Sequence, residues 1–222
     1  MISNPDDLQQ WRLPRGRHGL PRELVERSQR ERLLAAVVKT TVAKGYESTT
    51  VADILGEAGV GRETFYELFD DKLDCMLSAE QILLDSLEQR LREVYISSAP
   101  WPQRVREGLQ ATLEWFAADP EVARFLLIEL STIGPDFHAV FRAQYARFTG
   151  LFEDGLDAGA PSPELSQATR LGVSALLARL YEEVVLGRAA ELPRLLPDVT
   201  YDFLVPFVGE EEARAEQQRA TA

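Results

Sequence analysis

The sequence predicts an all-α protein, and three observations lead there. Apolar residues recur at the helical spacing along nearly the whole chain, and almost nothing alternates with period two. Runs of β-branched residues are short. Prolines and glycines fall where helices start and stop: Pro102, Pro120, Pro135 and Pro163 at starts, Gly45 and Gly59 at ends. A length of 222 residues suits a small domain joined to a larger one.

Residues 1–21 are rich in Pro, Gly and Arg, lack an apolar face and read as an extended basic arm. From Arg22 to Lys44, Leu33, Leu34, Val37, Val38, Thr41 and Val42 form a helical stripe that Gly45 stops. Thr50 with Asp53 three residues on resembles a capping box. Val51, Ile54, Leu55 and Ala58 make one face of a short helix, ended by Gly59. A second short helix runs to about Phe69. Asp70 or Asp71 then caps a long one reaching about Ser97. Three such helices joined by tight glycine-containing turns make a helix-turn-helix unit over residues 22–72. Further helices are expected at about 102–118, 120–132, 135–158, 163–187 and 194–208, the last ended or bent by Pro206. Residues 73–208 form the second domain, and 209–222 a polar tail expected to fray.

One cysteine, Cys75, excludes an intrachain disulfide and fits a reducing compartment. The N-terminus has no apolar core of signal-peptide length, and no apolar run is long enough for a membrane span. A cytoplasmic protein without membrane contact is expected. The net charge is −12, yet residues 8–44 hold nine basic side chains against three acidic ones, leaving −18 on the remainder. A basic end on an acidic body is compatible with nucleic-acid binding and equally with a solvated arm.

The stretch VGRETFYELFDDK, residues 60–72, packs three aromatics, an arginine and a lysine together. On a helical wheel Phe65, Leu68 and Phe69 cluster inward, while Glu63, Thr64, Tyr66 and Glu67 face out with Arg62 at the edge. A helix that only packs explains the first group and not the second. In a helix-turn-helix the second helix enters the major groove with its N-terminal residues on base edges. Arg62 would then pair with guanine, Thr64 would touch a thymine methyl or base edge, and Glu63 or Glu67 would accept from cytosine N4. Tyr66 and Lys72 suit phosphate contacts, which position rather than specify.

The run RERLLAAVVKTTVAKGYESTTVADILGEAGVGRETFYELFDDKLDCML resembles the N-terminal domain of TetR-family (tetracycline-repressor-like) transcription regulators. The marks are Gly45-Tyr46, Thr49-Thr50-Val51, Ala58-Gly59-Val60, Thr64-Phe65-Tyr66, Phe69 and Lys72. Gly61 departs from the serine common at that place, which removes one hydroxyl and leaves a tolerated N-cap. The resemblance implies contact with double-stranded DNA at a palindromic operator through Arg62, Glu63, Thr64, Tyr66, Glu67, Lys72 and Thr50. Arg15 and Arg17 of the arm, with Arg12, would either enter an adjacent minor groove or stay unbound.

The resemblance fades after about residue 90 and implies a helical second domain that binds a small effector and forms a homodimer. Residues 101–152 are rich in aromatics, and Phe137, Phe141, Tyr145, Phe148 and Phe152 make one helical stripe. Trp115, Phe116, Phe125, Glu129, His138, Phe141, Tyr145 and Phe148 are the candidate ligand residues; packing or internal hydrogen bonding accounts for them as well. Gly172, Ala175, Leu176, Leu180, Val184, Phe203 and Phe207 are the candidate dimer contacts, with an intrachain core as the other reading. No cofactor, metal site or catalysis is expected: His18 and His138 are far apart in sequence, Cys75 follows two aspartates and a further acid, and no phosphate loop, zinc spacing or nucleophile elbow occurs. The expected function is a ligand-responsive repressor released from its operator by a largely apolar effector. The long helix of residues 70–97 would carry the signal over roughly 40 Å. The alternative is a helical ligand-binding or scaffolding protein that keeps the fold without operator recognition.

Overall fold

The computed structural model describes residues 21–154 and 162–221, and among them no strand occurs. The chain divides into two compact units, Met1–Leu84 and Asp85–Ala222.

In the first unit, α1 (Arg22–Lys44) buries Leu33, Leu34, Ala36, Val37, Val38, Thr40 and Thr41, and ends at Gly45 with φ 78°. α2 (Val51–Ala58) begins with the expected capping box, the Thr50 and Asp53 side chains satisfying each other's backbone N–H groups. Gly59, left-handed at φ 61°, closes it. α3 (Arg62–Leu68) follows Gly61, an extended N-cap with no side-chain hydrogen bond. α4 (Lys72–Tyr95) is capped by Asp71, whose Oδ1 accepts from the Asp74 N–H at 2.9 Å. Leu33, Val37, Ile54, Phe65, Cys75 and Met76 are all fully buried. Burial pushes the Cys75 thiol up to about 12, with Asp74 adding to it and Arg30 opposing, so this thiol stays protonated.

The second unit contains the end of α4, α5 (Trp101–Ala118), α6 (Pro120–Arg124), α7 (Pro135–Asp154), α8 (Pro163–Val185) and α9 (Leu196–Arg219). Each of α5, α6 and α8 has a proline in its first turn. The single helix expected over 120–132 is instead three short pieces: α6, a π turn Phe125–Glu129 and a 3₁₀ turn Leu130–Ile133. The wider π turn brings positions five apart back to one face, so Phe125 and Leu130 are both buried, at 0% and 1% exposure. Beyond it the Ser131 and Thr132 hydroxyls donate to carbonyls three residues back, and Gly134, φ 91°, ends the segment.

The C-terminal expectation also needs correction. Pro206 lies inside α9, and the helix breaks at Gly209 (φ 79°, ψ 172°), where no Cβ opposes that conformation. The polar stretch beyond does not fray but continues as helix to Arg219. Ala213 is fully buried, and the Glu216 carboxylate, 3% exposed, accepts from Arg106 Nε at 2.9 Å and pairs with Arg219. An ion pair rather than an apolar stripe docks it, which hydrophobic periodicity cannot reveal.

Two predictions follow from these buried carboxylates. Glu216→Ala leaves Arg106 buried with only Glu107 at 3.4 Å, and should cost roughly 3 kcal/mol in denaturant unfolding; a loss below measurement would mean the pair carries no stability. Glu80 on α4 is 3% exposed and has no ion pair among the described residues. Burial raises its carboxyl from 4.5 to about 7. The folded state therefore holds that proton after the unfolded chain has released it, and stability falls as pH rises through this window. Glu80→Gln should melt above the wild type at pH 8, the gap closing toward pH 4.5; a gap independent of pH would contradict this.

Candidate nucleic-acid interface and effector region

α3 has seven residues, too few for a helix to persist alone, so its neighbours set its orientation. Phe65 is fully buried and Phe69 is 3% exposed, with ring centroids 5.6 Å apart. Leu68 is half-buried. With these turned inward, Arg62, Glu63, Tyr66 and Glu67 stand exposed and Thr64 is half-exposed, the partition the wheel predicts. The Arg62 guanidinium sits 5.6 Å from the Tyr66 ring centroid, one turn apart along the same face. Glu67 lies near the start of α1, where it adds to Glu26 in favouring the charged form of Arg22. Glu63 has no such cation among the described residues.

Thr50 is exposed, but its hydroxyl is engaged in the cap of α2: it accepts from the Asp53 N–H at 3.2 Å and donates to Asp53 Oδ2 at 2.8 Å. Lys44 at 2.5 Å and then Thr50 hold the Asp53 carboxyl down at about 2. Lys72 is half-buried rather than solvated. Its ammonium donates to the Tyr46 carbonyl at 2.6 Å and the Thr49 carbonyl at 2.9 Å, and lies 4.0 Å from the Tyr46 ring centroid. A lysine projecting freely toward phosphate is not what this geometry shows. Arg15 and Arg17 lie outside the described residues, as do Arg12 and His18.

The charge of this unit is not what the basic N-terminal stretch suggests. Residues 1–84 hold eleven basic and fourteen acidic side chains, so the unit itself is slightly acidic. Several α1 cations are spent inside it: Arg22 on Glu26, Arg27 on Glu31, Lys39 on Glu57 and Lys44 on Asp53.

In the second unit Trp115, Phe116, Tyr145 and Phe148 share one apolar cluster with residues of α5, α8 and α9. The Trp115 indole donates to Ser86 Oγ at 3.2 Å. The Tyr145 hydroxyl meets the Arg170 carbonyl and Ser174 Oγ, joining α7 to α8. Phe125 is buried in the π turn and Glu129, 5% exposed, accepts from Arg124 Nε at 3.1 Å. His138 is exposed, while Phe141, 43% exposed, stacks on Tyr145 with ring centroids 6.1 Å apart. The periodicity missed a chain of rings contributed by four different helices: Tyr95, Phe152, Phe203, Phe207 and Trp101, linked by centroid distances of 4.8–5.8 Å. At its end the Tyr95 hydroxyl is buried without a hydrogen-bond partner among the described residues.

The dimer candidates other than Ala175 are wholly or partly covered within the chain itself. Leu176, Leu180, Val184 and Phe203 are buried within a single chain, and Phe207 stacks on Phe203 inside the same cluster. Gly172 is small because a Cβ there would meet the Phe203 ring at 2.7 Å, a close approach within the chain. Of the seven residues only Ala175 is exposed. The opposite side of α8 carries an exposed apolar row: Leu171 at 63%, Tyr181 at 47% and Val185 at 50% exposure, with the candidate Ala175 and also Ala178 between them.

Comparison with known proteins agrees with this architecture. Residues 33–79 match the family model for bacterial regulatory proteins, tetR family. The chain is similar to an HTH-type transcriptional regulator from the lacX 3′ region of Lactococcus lactis subsp. lactis, 28% identical over 119 residues, 50% of this chain and 59% of the relative. It is also similar to the HTH-type transcriptional activator FasR of Mycolicibacterium smegmatis, 24% identical over 125 residues, 56% of this chain and 57% of the relative. The chain thus spans 57–59% of the length of these curated relatives. Among solved structures it shares the fold of the transcriptional regulator FadR from Bacillus subtilis in complex with stearoyl-CoA, with a TM-score of 0.71 at 17% identity, covering 81% of this chain and 98% of that one. Residues 33–79 thus match the tetR-family model, and 81% of the chain shares the fold of a solved transcriptional regulator.

Proposed function

We propose that this protein is a homodimeric, ligand-responsive transcription regulator that reads a two-fold symmetric DNA operator. The observation that carries the reading is the split of α3: Phe65 buried at 0% exposure fixes the helix, while Arg62, Glu63, Tyr66 and Glu67 stand exposed on its other side. That arrangement suits a major groove, with Arg62 on guanine and Glu63 on cytosine. The exposed α8 row of Leu171, Ala175, Ala178, Tyr181 and Val185 is the surface through which two copies would pair. The Bacillus subtilis FadR complex holds stearoyl-CoA. The aromatic and aliphatic interior of the second unit here fits an effector of the same largely apolar kind. The residues of α4 belong to both units, so an effector that favours one setting of α4 would bias the spacing of two recognition helices. Repression relieved by effector is the primary reading. The Mycolicibacterium smegmatis relative is named an activator, which keeps the opposite direction as the second.

Selection from random double-stranded DNA tests the proposal. A palindromic consensus with half-sites about one helical turn apart, or a multiple of it, is expected; no enrichment even at low salt would favour a ligand-binding role without DNA. On the selected site Arg62→Ala should lose about 1–3 kcal/mol and relax the choice at one base pair. Unchanged sequence preference would remove Arg62 from its role. Leu171→Glu should leave the fold intact and shift the protein to monomer in sedimentation; a persistent dimer would mean another surface pairs the chains.

A further inference from the structure

Lys72 is the first residue of α4, and its ammonium closes onto the turn between α1 and α2. The two carbonyls it reaches, of Tyr46 and Thr49, lie 26 and 23 residues away in sequence. The Tyr46 ring, 4.0 Å from the nitrogen, covers the same cation. The turn is held from its other side as well: the Thr49 hydroxyl, in a residue 2% exposed, donates to the Gly45 carbonyl at 2.8 Å. Thr49 directly precedes Thr50, the residue that caps α2. The three groups therefore stand in order: the first turn of α4, the Tyr46–Thr49 turn, and the N-terminus of α2. Burial lowers the pKa of the ammonium, which is consistent with a lysine taken out of water.

We propose that Lys72 is a positioning residue of the DNA reader, locking the first turn of α4 to the α1–α2 turn so that α2 and α3 follow α4 as one body. The inference rests on α3 being the reading helix, and it gives the regulation of that site a physical link. Without the ammonium, α4 is joined to the reader through residues 69–71 and through the buried side chains of its first turns, where the Cys75 thiol meets the Leu33 carbonyl. With it, a shift of α4 also draws on two carbonyls at the entrance to α2. The chemistry calls for lysine in particular. A tetrahedral ammonium serves two converging carbonyls and a ring face, whereas a planar guanidinium presents its donors in a fixed fork.

The test uses the full-length protein and its selected operator, with Lys72→Met, Lys72→Arg and Tyr46→Leu compared with wild type across a salt series at 25 °C. Folding of each variant is followed by thermal melting. Positioning predicts that Lys72→Met and Lys72→Arg both bind at least about tenfold more weakly while still folded, the worth of one hydrogen bond to a charged group. The slope of log affinity against log salt should keep its wild-type value. Tyr46→Leu, which retains the lysine charge, should weaken binding in the same way. A phosphate contact predicts the reverse: a slope shallower by about 0.9 per protomer in Lys72→Met, recovery in Lys72→Arg, and no effect of Tyr46→Leu. That result would overturn the proposal, and so would folded variants with wild-type affinity. Amide exchange over residues 46–53 provides a readout independent of DNA. It should speed up in Lys72→Met, and unchanged exchange would overturn the positioning role even if no operator is found.

Discussion

The proposed reading surface depends on one buried ring. α3 is seven residues long and starts at a glycine that offers no side-chain cap, so local propensity contributes little to it. Phe65, at 0% exposure, supplies what the sequence of the helix cannot. Its ring meets Tyr66 edge-on at 5.3 Å and Phe69 at 5.6 Å, while Arg30 of α1 lies 4.9 Å over Phe69. Burial of such a side chain is worth about 1.5–3 kcal/mol, and here it also fixes rotation about the helix axis. Once Phe65 faces inward, the outward positions of Arg62, Glu63, Tyr66 and Glu67 have no freedom left to choose.

Charge plays a narrower part than the basic N-terminal stretch suggests. Lys39–Glu57 at 2.6 Å and Lys44–Asp53 at 2.5 Å bridge α1 to α2. Arg32 donates to the Ala58 carbonyl at 3.2 Å, at the end of α2. These cations hold two helices together. Each exposed pair contributes little energy, generally below about 1 kcal/mol. Their effect is to keep α1 from acting as a general attractor for phosphate. A unit that is itself slightly acidic gains little from long-range steering, so under the proposed function recognition would fall to the few groups on the α3 face and to contacts at short range.

Much of this was legible in the sequence, and the misses share a cause. The Thr50–Asp53 box, the glycine stops at 45 and 59 and the inward set of α3 are local, and spacing alone specifies them. Periodicity also located the apolar rows of α8, but it does not say which chain covers a row. Gly172, Leu176, Leu180 and Val184 therefore read as an interface although Phe203 and its neighbours cover them. The π turn at 125–129 and the docked end of α9 escape any fixed period: one inserts a wider turn, the other rests on the Arg106–Glu216 pair, 110 residues apart. Lys72 shows what spacing leaves out. A basic residue after a recognition helix suggests phosphate, and only the three-dimensional path of the chain brings the Tyr46 and Thr49 carbonyls to it.

The central claim is that the outward face of α3 reads the major groove. Methylation interference on the selected operator tests it most directly, because methyl groups at guanine N7 block the major-groove edge where an arginine would bind. The account predicts interference in two symmetric clusters separated by about one helical turn or a multiple of it, with the strongest guanine signal disappearing in Arg62→Ala. Binding that ignores guanine N7 methylation, or is blocked only by minor-groove adenine N3 methylation, would contradict it.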